Sequence, residues 1–118
     1  MRILVVDDEP SVAEVIAEAI RSRGDDALVC LDATEALDLL ESTPVDGVFL
    51  DLVMPGLGGL NALARIRSRH PAMPVVILSG HVEDQQVREA LALGAVEVVR
   101  KPAALAHLTD ALSRIKSG

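Results

Sequence analysis

Side chains that could act together on a phosphoryl group follow several short apolar runs. Asp7 and Asp8 come directly after the first run, and Asp51 ends the third. A hydroxyl group, Ser79, and an ammonium group, Lys101, follow two later runs in the same way. A carboxylate can act as a nucleophile toward phosphorus, and a fixed cation and a hydroxyl group can stabilise the phosphoryl oxygens. These residue types predict phosphoryl transfer if the fold brings them together.

Three neighbouring carboxylates also predict a metal site. Their charges repel one another, and a buried cluster of this kind is unstable unless a cation joins it. Hard oxygen ligands with open positions favour Mg²⁺, so we expect Asp7, Asp8 and Asp51 to bind this ion. The alternative is that strand-end Asp residues only cap the following helices. Capping explains Asp7 or Asp8 alone, but it explains neither Asp51, which precedes a Met-Pro-Gly turn, nor Lys101.

The elements that would position these residues are five short apolar runs separated by segments of helical periodicity. The runs are rich in Val, Ile and Leu, which is typical of strands buried on both faces of a parallel sheet. Pro10 and Gly24 are start and stop signals for the first helix, and Asp32 with Glu35 resembles a capping box for the second. The predicted strands cover 3–6, 27–30, 45–50, 75–78 and 95–99.

Each intervening segment carries an apolar stripe that is predicted to face the sheet. The stripe residues are Val12, Val15, Ile16, Ala19 and Ile20 in the first helix, Leu37 and Leu40 in the second, Leu60, Leu63 and Ile66 in the third, Val87 and Leu91 before the Gly94 stop in the fourth, and Leu105, Leu108, Leu112 and Ile115 in the fifth.

Strands that alternate with helices predict parallel βαβ units with right-handed crossovers. We predict one α/β domain over 1–118, with a doubly wound five-stranded parallel sheet in the order 2-1-3-4-5. An eight-unit barrel would need about 250 residues. In the predicted order the first and third strands are neighbours, so Asp7, Asp8 and Asp51 would share one pocket, with Ser79 and Lys101 beside it.

The composition argues against several classes of protein. A net charge of −7 disfavours direct binding to nucleic acid or to anionic lipid. The one cysteine, Cys30, excludes an intrachain disulfide and fits a reducing, cytoplasmic compartment. No apolar run approaches the roughly 18 residues of a membrane span, and the N-terminal apolar run gives way to acidic residues at Asp7 and Asp8, so we expect neither a span nor a signal peptide.

At this point the sequence resembles a response regulator receiver domain, the CheY-like family of two-component signalling. Any one matching stretch is weak evidence, but together they occur in the family's order and spacing from end to end. The stretches are Val5–Glu9, Asp51–Gly56 with Gly59 beyond, Ile77–Gly80, Gly94-Ala95 and Lys101-Pro102.

The resemblance implies a flavodoxin-like (βα)5 fold and a phosphoacceptor switch. Asp51 would take a phosphoryl group from a histidine kinase or a phosphotransfer protein. Asp8, the Asp51 carboxylate and the backbone carbonyl of Val53 would bind Mg²⁺, and Asp7 would act mainly through water. The domain would also dephosphorylate itself, without being a conventional turnover enzyme.

The resemblance also implies how the signal is read. Ser79 would be the switch hydroxyl and Lys101 the cation that pairs with the phosphate, its direction fixed by a cis bond to Pro102. The fourth helix, fifth strand and fifth helix, at about 87–115, would change on phosphorylation. A downstream protein, an output domain or a second copy of the chain would dock there, with no direct role for nucleic acid or membrane.

One departure from the family pattern keeps an alternative function open. Val98 stands three residues before the lysine, where the family usually has Tyr or Phe, so no ring can swing inward. The alternative is a protein-interaction module that works without phosphorylation. Asp8, Asp51, Ser79 and Lys101 argue against it, because a module that only binds has no need for this acidic pocket.

Two other classes of protein fit the sequence less well. A flavin-binding domain of flavodoxin type shares the predicted topology, but it needs a phosphate loop rich in Gly, Ser and Thr after the first strand. The chain has Asp7-Asp8-Glu9 there, which would repel phosphate without a metal. A phosphatase of the haloacid-dehalogenase class needs a second Asp two residues after the nucleophile, where this chain has Val53.

Overall fold

Strands and helices alternate along the whole chain in the computed structural model, which describes residues 1–52, 54, 58–79, 84–100 and 108–117. None of the helices within these ranges is long and apolar enough to cross a membrane. The elements are β1 (Arg2–Val6), α1 (Pro10–Ser22), β2 (Asp26–Cys30), α2 (Ala33–Ser42), β3 (Gly47–Asp51), α3 (Gly59–Arg69), β4 (Val75–Ser79), α4 (Asp84–Ala92), β5 (Glu97–Arg100) and α5 (Leu108–Ser117).

The five strands form one parallel sheet in the order β2-β1-β3-β4-β5, which confirms the predicted fold class and strand order. The register pairs Val6 of β1 with Cys30 of β2 on one side and with Leu50 of β3 on the other. The carboxyl ends of these three strands therefore meet at one edge, directly before Asp7 and Asp51.

Both faces of the sheet are covered, which explains why the strands are continuous apolar runs. Along β1, Leu4 and Val6 pack with α2, α3 and α4, whereas Ile3 and Val5 pack with α1 and α5. All four side chains are fully buried. Alternate residues of one strand thus belong to two cores, as expected for a sheet with helices on both faces.

The start signals of the first two helices are confirmed. Pro10 occupies the first turn of α1, where its missing N–H has no partner to lose. Asp32 caps α2, because its side-chain oxygen accepts the Glu35 backbone N–H at 2.7 Å. This bond satisfies one of the amide donors that the first turn of a helix leaves without an intrahelical partner.

Replacement of the cap should weaken α2 measurably. We expect Asp32→Ala to lower the free energy of unfolding by about 1 kcal/mol, because the Glu35 N–H loses its acceptor. Asp32→Asn keeps an oxygen acceptor and should lose less than half of this amount. Urea denaturation of the three proteins measures both effects, and equal losses in the two variants would contradict the capping role.

The apolar stripes were predicted only in part. Val15 of α1 is 52% exposed and Leu91 of α4 is 48% exposed, although both were placed on the buried face. The buried face of α1 instead carries Ala13 and Ala17, and α4 buries Ala90. Small side chains let the helix backbone approach the sheet closely, so alanine takes the inner positions. The predicted stripe residue Leu105 lies outside the described residues.

The third and fifth strands begin two residues later than the apolar runs suggested. Val45 and Asp46 precede β3. The Asp46 side chain accepts the Arg2 backbone N–H at 2.6 Å, and the Asp46 backbone N–H donates to the Arg2 carbonyl at 2.7 Å. Ala95 and Val96 precede β5, although the Val96 N–H already donates to Val75 of β4. The turns before β3 and β5 contain apolar residues, so the apolar run in the sequence begins before the strand does.

Candidate functional site

Asp7 is positioned by the end of β1 and by a tight turn after it. Its backbone N–H donates to the Cys30 carbonyl of β2 at 3.1 Å, which extends the strand pairing by one residue. Its Oδ1 accepts the Glu9 N–H at 2.9 Å, the local bond with which an Asp side chain fixes a turn. The side chain is fully buried, so these two bonds set the direction of a carboxylate that has little access to water.

Asp51 is the last residue of β3 and is also buried, with 1% of its surface exposed. It lies opposite Leu78 of β4, and the next amide, Leu52 N–H, donates to the Leu78 carbonyl at 3.1 Å. Strand pairing therefore continues past the carboxylate on the β4 side. Asp51 is held by the central part of the sheet rather than by a loose loop.

Gly59, the first residue of α3, packs directly against the backbone of Asp51 and Leu52. Its N–H donates to the Leu52 carbonyl at 3.1 Å. A Cβ atom at this position would lie 2.3 Å from the Leu52 carbonyl oxygen and 2.5 Å from the Asp51 carbonyl oxygen. Both distances are far below van der Waals contact, so only glycine fits. Gly59 belonged to the matching motif, but its spacing along the chain carries no sign of this contact.

The structure brings the three carboxylates together. One oxygen each from Asp7, Asp8 and Asp51 lies within 4.8 Å of the others. Asp8 reaches solvent, whereas the other two are buried. Two charges at this separation repel by about 3 to 4 kcal/mol at an effective dielectric constant near 20. An oxygen-only donor set with one solvent-facing member fits a hydrated Mg²⁺ ion, which keeps several waters.

Of the other predicted site residues, the structure describes only the backbone of Ser79. The backbone of Ser79 ends β4 and pairs with Arg100 of β5, one residue beyond the Leu78 that faces Asp51. The Ser79 side chain, Val53, Lys101 and the bond from Lys101 to Pro102 lie outside what the structure describes. Their roles stay predictions, as do the roles of the three carboxylates as ligands and nucleophile.

Cys30 supports the site through its backbone, and its thiol is inert. Burial, together with the nearby carboxylates of Glu35 and Asp32, raises the pKa of this thiol to about 12. A thiol with this pKa is almost entirely protonated at neutral pH. The thiol is fully buried at the end of β2, so it is a packing group below the site.

This burial predicts that Cys30 resists alkylation in the folded protein. At about pH 8, iodoacetamide should label the native chain at least roughly a hundredfold more slowly than the urea-unfolded chain, because the thiolate is scarce and shielded. Intact mass recorded against time gives both rates. Labelling at similar rates in the two states would mean that the end of β2, which also holds Asp7, opens readily.

The comparisons with known proteins agree with this fold. The family model described as the response regulator receiver domain matches residues 3–113. An NtrX-like response regulator of Rickettsia felis is 37% identical over 102 residues, which cover 85% of this chain and 22% of the relative. The DNA-binding response regulator MtrA of Mycolicibacterium smegmatis is 37% identical over 101 residues, which cover 86% of this chain and 44% of the relative.

A solved structure extends the agreement to three dimensions. The receiver domain of NtrX from Brucella abortus has a TM-score of 0.88 and 32% identity, with 98% of this chain and 99% of that chain covered. The chain spans less than half of the length of the two curated relatives described above, so the match concerns their receiver portion. The chain belongs to the response regulator receiver domain family of two-component systems.

Proposed function

We propose that this domain is a magnesium-dependent phosphoacceptor switch in which Asp51 takes the phosphoryl group. The observation that carries this function is the approach of Asp7, Asp8 and Asp51 to within 4.8 Å at the edge where parallel strands end. Two of these carboxylates are buried. Such an arrangement of charge is unfavourable for stability alone, and it is suited to hold a cation beside a nucleophile.

The donor is a phosphohistidine on a histidine kinase or on a phosphotransfer protein. A carboxylate oxygen of Asp51 attacks the phosphorus, the P–N bond breaks as the P–O bond forms, and the imidazole nitrogen keeps the electron pair. Because Asp51 ends a central strand and the next residues are anchored through the Leu52 and Gly59 backbone bonds, its main chain is held in place, which supports a positioned nucleophile for in-line attack. Fixed positioning of the nucleophile is a large part of catalysis in phosphoryl transfer.

The residues proposed to hold Mg²⁺ are Asp8, the Asp51 carboxylate and the Val53 carbonyl, with Asp7 acting mainly through water. Bound Mg²⁺ would supply positive charge between the carboxylates and the incoming phosphoryl oxygens. Asp7 is fixed by the Glu9 and Cys30 backbone bonds, so it can orient a water without moving.

Ser79 and Lys101 are proposed to complete the site, the first with its hydroxyl and the second with its ammonium group. The pairing of Ser79 with Arg100, the residue before Lys101, supports a common location at the strand ends. Phosphorylation would then change the surface of α4, β5 and α5. Val98 of this surface is partly buried against the core on the α2–α4 side. Because it has no aromatic ring to swing inward, the proposed readout differs from the family's usual one or is weaker.

The partner that reads the switch is proposed to be an output domain, a separate downstream protein or a second copy of the chain. MtrA, one of the relatives, is a DNA-binding response regulator. The net charge of −7 makes direct DNA contact by this domain itself unfavourable. Any DNA binding in a complete regulator would therefore come from a different domain.

A mass measurement tests the proposal. The protein is incubated with Mg²⁺ and acetyl phosphate, or with phosphoramidate as a P–N donor, and its intact mass is recorded. We expect one added phosphoryl group, which should be absent when EDTA is present and absent in Asp51→Asn.

The matched control is Asp38→Asn, a change at an exposed carboxylate on α2, and this variant should be modified like the parent protein. An adduct that persists in Asp51→Asn would place the acceptor elsewhere, and no adduct from either donor would favour the phosphorylation-independent module.

A further inference from the structure

A guanidinium group lies between two turns at the edge of the sheet opposite to the acidic cluster. Arg67 belongs to the last turn of α3 and is partly buried. Its Nη1 donates to the Met73 carbonyl, in the turn between α3 and β4, at 3.1 Å. This bond fixes the side chain across the end of its own helix.

The end of α4 rests on this guanidinium. Gly94, which follows α4, has φ +100, and a Cβ atom there would lie 2.7 Å from Arg67 Nε and 3.2 Å from Cζ and Nη2. The backbone angle therefore favours glycine at this position, and any added Cβ atom would also push the Arg67 guanidinium aside. The three nearest atoms are Nε, Cζ and Nη2, so the turn lies beside the guanidinium group itself and not beside the apolar stem of the side chain.

The position of this charge favours both helices. Carbonyl groups at a helix C-terminus carry partial negative charge, and a cation there is stabilising. Arg67 lies in the last turn of α3 and beside the turn that ends α4. Four successive amides of that turn also donate to carbonyls: Leu93 to Glu89, Gly94 to Leu91, Ala95 to Ala90 and Val96 to Val75.

The rest of α4 is held much less tightly. Within residues 85–92, only Ala90 is buried. The hydrogen bond between Gln85 and Glu89 is exposed and stays within the helix. Gln86 and Val87 are half-buried, so the described side chains of the N-terminal half of α4 are at most partly enclosed before Ala90. The C-terminal end is held by backbone bonds and lies beside a fixed cation.

We propose that Arg67 is a positioning residue that anchors the C-terminal turn of α4, so that α4 responds to phosphorylation through its N-terminal half and pivots about Gly94. The anchor follows from the geometry of Arg67, Met73 and Gly94 alone. The pivot rests on the proposed function, because it needs a phosphoryl group at Asp51 to drive it.

Hydrogen exchange in the unphosphorylated protein tests the anchor. In Arg67→Met, which removes the charge and keeps an apolar stem, the amides of 93–96 should exchange about tenfold faster while those of β1 keep their rates. Arg65→Met, a change at an exposed arginine on the same helix, is the matched control and should leave 93–96 unchanged. Unchanged exchange at 93–96 in Arg67→Met, or an equal increase in β1, would overturn the anchor.

A double-mutant cycle tests the same contact without relying on one variant. Gly94→Ala introduces both backbone strain and a collision with Arg67, whereas in an Arg67→Ala background only the strain remains. The change in the unfolding equilibrium constant caused by Gly94→Ala should be about tenfold smaller in that background. Equal changes in the two backgrounds would mean that the guanidinium does not lie against Gly94, and would overturn the anchor.

The pivot is tested after treatment with acetyl phosphate and Mg²⁺. Protein that carries the adduct should change its exchange rates at 85–90 and keep them at 93–96. Changes of similar size in both segments would overturn the pivot. Absence of the adduct by mass would instead contradict the proposed function, and the unphosphorylated exchange and the double-mutant cycle would still decide whether Arg67 is an anchor.

Discussion

Asp51→Asn is expected to make the metal-free domain more stable, by about 1 to 3 kcal/mol. Three carboxylate oxygens lie within 4.8 Å of one another, and two of the side chains are buried. Asparagine has the same shape, so the change removes one charge without leaving a cavity. The gain is smaller than the full repulsion between two charges because Asp8 reaches solvent, which screens it. Urea denaturation in EDTA at neutral pH measures the difference.

Magnesium should narrow or reverse this difference in stability. A ligand that binds only the folded state stabilises it by about 2.7 kcal/mol at a concentration 100 times its Kd. The parent protein should gain this stability with Mg²⁺, and Asp51→Asn should gain much less because it lacks a charged ligand. Asp38→Asn, at an exposed carboxylate on α2, should stay within about 0.5 kcal/mol of the parent in both conditions. A less stable Asp51→Asn in EDTA would show that favourable contacts of this carboxylate outweigh the repulsion.

The neighbourhood of Asp7 and Asp51 was predictable because it depends only on topology. Continuous apolar runs such as 48–50 indicate strands that are covered on both faces, and the helices between them indicate parallel connections. Parallel strands end at one edge, so polar residues after adjacent strands come together whatever the details of packing. The observed pairing of Val6 with Leu50 makes β1 and β3 adjacent strands, so the residues that follow them, Asp7 and Asp51, are neighbours.

Other features depend on packing and could not be predicted from the pattern. Val15 and Leu91 were assigned to buried helix faces because they continue the helical spacing of apolar residues, yet both are exposed and the neighbouring Ala17 and Ala90 are buried. Which residues of a helix are buried depends on how closely the helix approaches the sheet. The hydrophobicity of the residues alone does not give this distance. The approach of Gly94 to Arg67 joins two turns that are 27 positions apart in the sequence, so no local signal marks it.

Gly59→Ala is expected to be a strongly destabilising change, by about 3 kcal/mol, and to impair the acceptor site directly. The new Cβ atom would lie 2.3 to 2.5 Å from backbone atoms of Leu52 and Asp51. Backbone atoms cannot turn aside as a side chain can, so the start of α3 must move away from the end of β3. That movement would also break the bond from the Gly59 N–H to the Leu52 carbonyl. Urea denaturation measures the loss of stability.

Gly58→Ala is the matched control for this substitution. Gly58 has φ +82, but a Cβ atom added there would have no atom of the described residues within 4 Å, so the change is expected to introduce mainly backbone strain, at about 1 to 2 kcal/mol. If contact with the Asp51 backbone is what matters, Gly59→Ala should also slow adduct formation by about tenfold or more, because a nucleophile displaced by even about 1 Å loses much of its reactivity. Gly58→Ala should keep a rate close to that of the parent. Equal rates in the two variants, measured under conditions where both are folded, would mean that Gly59 supports the fold without positioning Asp51.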